Sequence, residues 1–264
     1  MIKRVKNYIP FLINYRLWPH LRRIFFRKIC KEAIGYVDTN RVKDVSRFEA
    51  ELWCERVSIE PKDALEKLGI TDQSKEFSEK YSEELKEAQS NALSCPYKLG
   101  GPTNMSMLFQ IVDGIEAKRV IETGVAYGWS SLSILLSLSN REGAKLWSID
   151  LPYVAFNNSK WVGVVVPAKL KGMWKLIRNA DREGLPQALK QAGRVDLAHY
   201  DSDKSIEGRM FAYPLIWEKL RPGGILISDD VNDNLAFAQF CHEKNIQPIV
   251  VKDKGKYQGI AVKD

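Results

Sequence analysis

The stretch VIETGVAYGWSS, residues 120–131, decides the fold of this chain. It predicts an apolar strand that ends in an acid, Glu122, and then a tight turn with Gly124 and Gly128 before a helix. Such a turn brings backbone N–H groups and a helix N-terminus close to an anionic group. A second apolar stretch, LWSID, also ends in an acid, Asp150, and a carboxylate at the tip of a neighbouring strand can bind a ribose diol. Together the two stretches predict half of a nucleoside-binding site.

The glycine spacing differs from the dinucleotide-binding fingerprint. That fingerprint is Gly-x-Gly-x-x-Gly, whereas here three residues separate Gly124 from Gly128. Two glycines could simply let a helix pack closely on a strand, but an acid at the tip of a buried strand is costly without a partner. The string acid-x-Gly-x-x-x-Gly-x-Ser resembles the first motif of class I S-adenosylmethionine-dependent methyltransferases, and most closely that of the small-molecule O-methyltransferases.

This resemblance implies a place for each part of S-adenosylmethionine. Around the turn formed by the two glycines, Glu122 and Ser130 would hold the methionine end of the cofactor. Asp150 would hold the ribose. Asp181, in the turn after the next predicted strand, is a candidate for the edge of the adenine. Its alternative is a helix N-cap, because Asp is a favoured N-cap residue.

The remaining pattern predicts an α/β fold. Over residues 100–264, apolar strand-like stretches alternate with helical ones, which is typical of a parallel sheet with helices on both faces. Residues 247–252 and 257–262 predict a terminal hairpin. The methyltransferase resemblance implies a Rossmann-like, doubly wound, mostly parallel sheet of seven strands with a reversed last strand. Residues 32–99 are polar with helical spacing and predict a helical N-terminal region before this domain.

Positive charge is concentrated at the start of the chain. The protein has 40 Lys and Arg against 33 Asp and Glu, and residues 1–31 hold nine of these cations and no acid. The remainder is nearly neutral, which argues against nucleic acid as a partner. The basic segment also carries aromatic residues, among them Trp18, Phe25 and Phe26, so we expect it to contact an anionic membrane interface. The alternative is a helix that docks on the domain or on a second subunit of a homo-oligomer.

Cysteine usage and hydropathy predict a cytoplasmic protein. The four cysteines lack the spacing of a metal site or a disulfide framework, as expected in a reducing compartment. No apolar run approaches the ~20 residues that a membrane-spanning helix needs. Pro10, Arg16 and Pro19 interrupt the apolar stretches of the first segment, which therefore does not resemble a signal peptide.

Two later strands also end in acids. Asp201 and Asp203 follow the predicted strand 195–200, and Asp229 and Asp230 follow the next strand along the chain. The carboxyl ends of parallel strands form the ligand-binding edge of an open α/β sheet, so these acids should gather near the predicted nucleoside site. Clustered carboxylates repel one another unless a cation or protons intervene, and all-oxygen ligands favour Mg²⁺, Mn²⁺ or Ca²⁺. The alternative is that Asp203 and Asp230 cap the helices that follow them.

The acidic motifs resemble those of the catechol and caffeoyl-CoA O-methyltransferases. The similarity lies in the run DSDK at residues 201–204 and the pair DD at residues 229–230. It implies three ligands for Mg²⁺ or Mn²⁺: Asp201, Asp229 and Asp230. It also implies that Lys204 is the general base. His199, near the end of the preceding strand, is the competing base, and a packed histidine is its alternative interpretation.

Residues 100–264 also resemble bacterial methyltransferases related to the cephalosporin-hydroxylase and macrolide-sugar O-methyltransferase families, which share the long segment at 151–173 and the Pro-Gly-Gly…Asp-Asp-Val…Asn ending at residues 222–234. The resemblance implies methyl transfer to a hydroxyl of a small molecule or glycan. A cation chelates two neighbouring oxygens, so we expect a diol such as a catechol or a sugar, and the polar residues of the segment 151–173 favour the sugar. The long segment 151–173 is predicted to select the acceptor, with Asn157, Asn158 and Trp161 suited to a polar ring. The alternative functions are an oxidoreductase of the hydroxylase kind and a non-catalytic module that binds S-adenosylmethionine.

Overall fold

The computed structural model describes residues 15–23, 39–102, 104–152 and 159–264. These residues form an eight-stranded sheet in the order β1-β7-β8-β6-β5-β2-β3-β4. The strands are β1 (Ser58–Ile59), β2 (Arg119–Thr123), β3 (Lys145–Ile149), β4 (Trp174–Ile177), β5 (Val195–Tyr200), β6 (Leu220–Ser228), β7 (Ile249–Asp253) and β8 (Lys256–Val262). Only β8 runs antiparallel to its neighbours within this sheet. The predicted Rossmann-like, mostly parallel sheet with a reversed last strand is confirmed.

Helices cover both faces of this sheet. They are α1 (Thr39–Val57), α2 (Pro61–Lys67), α3 (Ser74–Lys80), α4 (Ser82–Leu93), α5 (Met105–Gly114), α6 (Trp129–Leu138), α7 (Asp181–Ala192), α8 (Ile206–Lys219) and α9 (Ala236–Glu243). Successive strand residues point to opposite faces, so Val120 packs into one core and Ile121 into the other. α5 and α6 fill the first core, and α7, α8 and α9 fill the second. The fold is therefore doubly wound, as predicted.

The sheet contains one strand more than the seven predicted. β1 is two residues long, follows α1 directly and pairs in parallel with β7, with Ser58 opposite Val250 and Ile59 opposite Val251. In sequence, its two residues continue the helical pattern of α1. Pairing with the edge of β7 stabilises them as a strand instead. Consequently the predicted helical region 32–99 and the domain that follows it share one sheet.

Part of the basic N-terminal segment packs on the domain. Residues 15–23 are helical, and the side chain of Leu17 is buried at 1% exposure. Trp18 is 58% exposed. The docking alternative is therefore supported for this part of the segment, whereas Phe25 and Phe26 lie outside the described residues. Membrane contact by the whole basic segment remains a prediction. No helix among the described residues is long and apolar enough to cross a membrane.

A core substitution in α6 should destabilise the protein strongly, because this helix is buried along its whole length. Leu132 is fully buried, so Leu132→Ala should lower the free energy of unfolding by about 2–5 kcal/mol. Leu93→Ala is the matched control, since Leu93 is 76% exposed and its truncation should cost less than about 0.5 kcal/mol. Urea denaturation measures both values. Equal losses for the two variants would contradict the placement of α6 in the core.

Candidate active site

A cavity of about 990 Å³ opens at the carboxyl edge of the sheet, a size suited to a cofactor with a small substrate. The loops that follow five strands, β2 to β6, line it, as expected for an open α/β sheet. Eight predicted site residues are in its lining: Gly124, Ser130, Asp150, Asp181, Asp201, Lys204, Asp229 and Asp230. Glu122, Gly128 and His199 are outside the lining. The cavity therefore unites the predicted nucleoside site with the predicted acidic site.

The two glycines allow backbone segments to approach each other closely. Gly124 has a φ of +80°, and a Cβ built on it would lie 2.0 Å from the carbonyl oxygen of Asp201. Gly128, with a φ of +93°, faces the chain at Gly163, whose Cα would lie 2.9 Å from an added Cβ. Gly124 is thus required where the cofactor turn meets the acidic loop. Gly128 serves packing behind that turn and does not line the cavity.

Glu122 lies behind the cavity wall. Its side chain is fully buried, and its carboxylate accepts hydrogen bonds of 2.6 Å from the hydroxyls of Ser130, Ser131 and Ser148. Burial raises the pKa of this carboxyl, while the nearby His199 and the three hydroxyls act in the opposite direction. The structure therefore does not support the predicted direct contact of Glu122 with the methionine end. Glu122 instead orients Ser130, which does line the cavity.

Asp150 stands at the tip of β3 and faces the cavity. Its carboxylate accepts hydrogen bonds from the backbone N–H groups of Val125, at 2.9 Å, and Ala126, at 3.3 Å. It also forms an ion pair with Arg178. Burial raises the pKa of Asp150, and Arg178 and the two amides oppose that shift. The carboxylate thus holds the glycine turn in place, and its remaining lone pairs can accept hydrogen bonds from a ribose.

Asp181 is the first residue of α7, and the N-cap of that helix is Ala180. The N-cap alternative for Asp181 is therefore wrong. Its carboxylate lines the cavity and accepts a hydrogen bond of 2.5 Å from the hydroxyl of Ser202. Burial raises the pKa of Asp181 to about 6. The position is compatible with the predicted contact to the adenine edge.

The structure brings the three predicted metal ligands together. Asp201, Asp229 and Asp230 each offer a carboxylate oxygen within 4.8 Å of the others. Burial, followed by the charge of Asp201, raises the pKa of Asp229 to about 7. Such crowding of carboxylates calls for a cation, and an all-oxygen set suits Mg²⁺ or Mn²⁺. The donor set therefore fits the predicted ion.

Neither of the two acids in question caps the helix that follows it with its side chain. Asp203 accepts a hydrogen bond of 3.0 Å from the backbone N–H of Ser205, the N-cap of α8. Asp230 makes no side-chain cap, either for the short turn that it precedes or for α9, whose N-cap is Leu235. Asp203 is thus a local structural acid, and Asp230 stays with the acidic cluster.

Lys204 is the cation that balances this cluster in the structure. Its ammonium group lies 2.9 Å from Asp201 and also pairs with Asp230. Burial alone would lower the pKa of Lys204, but the two carboxylates outweigh that effect and raise it. The lysine is therefore placed at the predicted metal site, as the resemblance to the catechol enzymes implies.

His199 is packed inside the sheet. It is 1% exposed and stands beside Glu122 in the parallel register of β5 with β2. Neither ring nitrogen has a hydrogen-bond partner among the described residues. Burial lowers the pKa of His199, so its ring is held neutral. The structure favours the packed histidine over the predicted alternative base, because the side chain does not reach the cavity.

From residue 159 onwards, the segment predicted to select the acceptor supports the glycine turn. Residues 153–158, which include Asn157 and Asn158, lie outside the described residues. From residue 159 onwards the chain runs behind the turn, where Gly163 donates a hydrogen bond of 2.9 Å to the carbonyl of Ala126. Trp161 is not in the cavity lining. The predicted stacking of Trp161 on a sugar ring is therefore not supported.

Several site residues were missed by the sequence reasoning. Gln258 on β8 donates a hydrogen bond to Asp229, and Asn234 donates one of 2.8 Å to the carbonyl of Lys204. Asn234 belongs to the Asp-Asp-Val…Asn ending and could have been found from it. No sequence pattern indicated Gln258, because its contact with Asp229 depends on the antiparallel pairing of β8 with β6. His20 and Arg23 also line the cavity, although they precede the domain by about eighty residues of sequence.

Comparison with known proteins agrees with this geometry. Residues 121–231 match a family described as a methyltransferase domain. No curated protein sequence matches the chain. Among solved structures, an O-methyltransferase from Bacillus cereus in complex with SAH (S-adenosylhomocysteine) has 16% sequence identity and a TM-score of 0.54, with 69% of this chain and 91% of that chain covered.

Two further solved structures share the fold over more of the chain. TomG, an O-methyltransferase from Streptomyces achromogenes involved in tomaymycin synthesis and solved in complex with SAM, has 15% identity and a TM-score of 0.52, covering 87% of this chain and 100% of that one. The SAH-bound methyltransferase PaMTH1 from Podospora anserina has 14% identity and a TM-score of 0.51, covering 87% and 98%. At these identities the likeness concerns the fold.

A methyl group added at Gly124 should disrupt the site. Gly124→Ala combines a strained φ with a clash against the carbonyl of Asp201, so we expect binding of S-adenosylhomocysteine to weaken by more than about tenfold. Gly143→Ala is the matched control, since Gly143 has a similar φ of +72° but nothing within 4 Å of an added Cβ. Isothermal titration calorimetry measures both affinities. Equal effects of the two variants would show that strain alone matters and that the close approach does not.

The family match spans the strands and loops that build the cavity, from Ile121 to Val231. It confirms the predicted methyltransferase class and leaves the oxidoreductase alternative without support. Residues 121–231 thus match a methyltransferase domain, and the chain has the fold of S-adenosylmethionine-dependent O-methyltransferases.

Proposed function

We propose that this chain transfers a methyl group from S-adenosylmethionine to a hydroxyl oxygen of a small molecule or glycan, with the help of Mg²⁺ or Mn²⁺. The observation that carries the proposal is one cavity lined both by the glycine turn with Asp150 and by the three clustered aspartates. Methyl transfer by displacement needs a donor site and an acceptor site within contact distance, so that the oxygen approaches the methyl carbon in line. This cavity offers both.

Three parts of the chain would hold the cofactor. The N-terminus of α6, directly after the turn that contains Gly124, would present its backbone N–H groups to the carboxylate of the methionine end. The hydroxyl of Ser130 lines the same end of the cavity. Asp150 would accept hydrogen bonds from the ribose, and Asp181 stands further along at the adenine end. Bound S-adenosylmethionine supplies the electrophilic methyl group on its sulfonium.

Asp201, Asp229 and Asp230 would hold the divalent ion, which lowers the pKa of an acceptor hydroxyl and fixes its direction when bound. Lys204 would take the acceptor's proton on its Nζ atom, which requires the neutral amine. In the structure Asp201 and Asp230 keep the pKa of Lys204 high. A divalent ion held by these two carboxylates would oppose that influence and favour the neutral amine of Lys204.

The acceptor that we propose carries two neighbouring oxygens, as in a catechol or a sugar diol, because such a pair can chelate one cation. The preference for a sugar rested on the segment 151–173, and its described part contributes Leu151 to the cavity. The chelating diol is therefore the part of the prediction that the site geometry supports. The intact acidic cluster favours an enzyme over the non-catalytic alternative.

Removal of the Asp150 carboxylate should weaken cofactor binding. Two charge-assisted hydrogen bonds to a ribose are each worth ~1.5–3 kcal/mol, so Asp150→Ala should weaken S-adenosylhomocysteine binding by about tenfold or more. Asp113→Ala is the control, because Asp113 pairs with Arg141 outside the cavity. Calorimetry at equal protein stability measures the effect. Unchanged affinity in Asp150→Ala would contradict the ribose assignment.

Metal removal should abolish the reaction. In a screen with labelled S-adenosylmethionine against catechols and sugars, turnover should stop in excess EDTA and return with Mg²⁺ or Mn²⁺. Asp201→Asn and Asp229→Asn should each weaken Mn²⁺ binding by more than about tenfold, because each removes a charged ligand. Asp203→Asn should retain Mn²⁺ binding, since Asp203 lies outside the cluster. Full turnover in EDTA would show that the carboxylates are structural.

A further inference from the structure

The N-terminal segment 15–23 forms part of the cavity wall. Leu17 anchors it by burial at 1% exposure, and His20 and Arg23 line the cavity together with the loops of the methyltransferase domain. A segment that served only as a membrane anchor would have no reason to reach the ligand-binding edge. Its position therefore needs an explanation within the site.

A bidentate ion pair holds the segment in place. The two terminal nitrogens of Arg23 donate to the two oxygens of Glu183, at 2.5 and 2.7 Å. Both side chains are partly buried, with exposures of 35% and 24%. A fork-to-fork contact of this kind fixes orientation as well as distance. Glu183 belongs to the first turn of α7, two residues after Asp181, so the pair ties the segment to one particular end of the cavity.

That end is the nucleobase end of the proposed cofactor. The sheet order β5-β2-β3-β4 places the glycine turn after β2, Asp150 after β3 and Asp181 after β4. A nucleoside whose ribose meets Asp150 therefore extends towards Asp181. Asp181 is hydrogen-bonded to Ser202, and the neighbouring Asp203 and Glu183 both influence His20. His20 lies one helical turn before Arg23 and lines the same cavity, so the pair of Arg23 with Glu183 places it at this end.

The chemistry of His20 suits a neutral heteroaromatic ligand. Burial, followed by the positive charge of Arg23, lowers the pKa of His20, whereas Glu183 and Asp203 act in the opposite direction. A neutral imidazole offers a flat face for stacking, one N–H donor and one acceptor. Adenine has matching features: a flat face, an exocyclic amine and ring nitrogens.

We propose that residues 15–23 are part of the cofactor site, with Arg23 and Glu183 as a clamp that positions His20 against the nucleobase of S-adenosylmethionine. The inference rests on the proposed use of that cofactor. It makes Arg23 and Glu183 positioning residues, whereas His20 touches the ligand itself. The basic N-terminal segment then has a role in cofactor binding that is independent of any membrane.

Calorimetry with S-adenosylhomocysteine tests the clamp in the full-length protein. Arg23→Glu and Glu183→Arg should each weaken binding by about fivefold or more, since each breaks the pair and places like charges together. The double variant with the charges exchanged should recover most of the affinity, which a merely structural defect would not do. Arg194→Glu is the control, because Arg194 is exposed and lies outside both the segment 15–23 and the cavity lining.

A second ligand locates the contact. His20→Ala should weaken S-adenosylhomocysteine and 5′-methylthioadenosine by the same factor, because both contain the nucleoside. If only S-adenosylhomocysteine is weakened, the segment contacts the methionine half and the nucleobase assignment is overturned. If the native protein binds S-adenosylhomocysteine but all these variants bind it equally well, the clamp is overturned. If the native protein does not bind it at all, the proposed function fails first.

Discussion

The close approach of Gly124 to the carbonyl oxygen of Asp201 is the constraint on which the site depends. Any side chain at position 124 would collide with that oxygen, because an added Cβ would lie 2.0 Å from it. Around this point Gly124 donates a hydrogen bond to Ile149, and Asp201 donates one to Thr123, both at 2.8 Å. The ends of three neighbouring strands are thereby locked together. The cofactor turn and the acidic loop form one unit, which is the arrangement that in-line transfer between two ligands requires.

The buried acids of this unit are balanced in different ways. Glu122 accepts hydrogen bonds from serine hydroxyls. Asp150 accepts hydrogen bonds from backbone amides and forms an ion pair with Arg178. Both acids stabilise the shape of the glycine turn, one from behind and one from its open side. In the third acidic group, burial and the charge of Asp201 raise the pKa of Asp229 to about 7 despite the nearby Lys204. Carboxylates that lie this close together repel one another, and this repulsion favours the binding of a cation.

Two chain segments lie in positions that differ from those their composition suggests. The polar, aromatic stretch after Asp150 looks like a substrate loop, yet from residue 159 onwards it packs behind the glycine turn, with Val165 and Val166 buried. The basic N-terminal segment looks like a peripheral arm, yet residues 15–23 border the cavity. In both cases a partner distant in sequence decides the outcome: Gly128 against Gly163 in the first, and Arg23 against Glu183 in the second.

The sequence by itself determined the order of strands β2 to β8 and of the helices between them, because apolar runs that end in acids and glycines are local patterns. It also predicted that Asp201, Asp229 and Asp230 meet, since the carboxyl ends of parallel strands share one edge of the sheet. Only the tertiary structure decided that Glu122 faces serines and that His199 is packed beside it. The serine contacts depend on how α6 and β3 pack against β2, and the position of His199 depends on the register of β5 with β2. The position of Arg23 could not be predicted from the sequence either, since its ion pair with Glu183 joins residues 160 positions apart and neither local segment contains a pattern that indicates it.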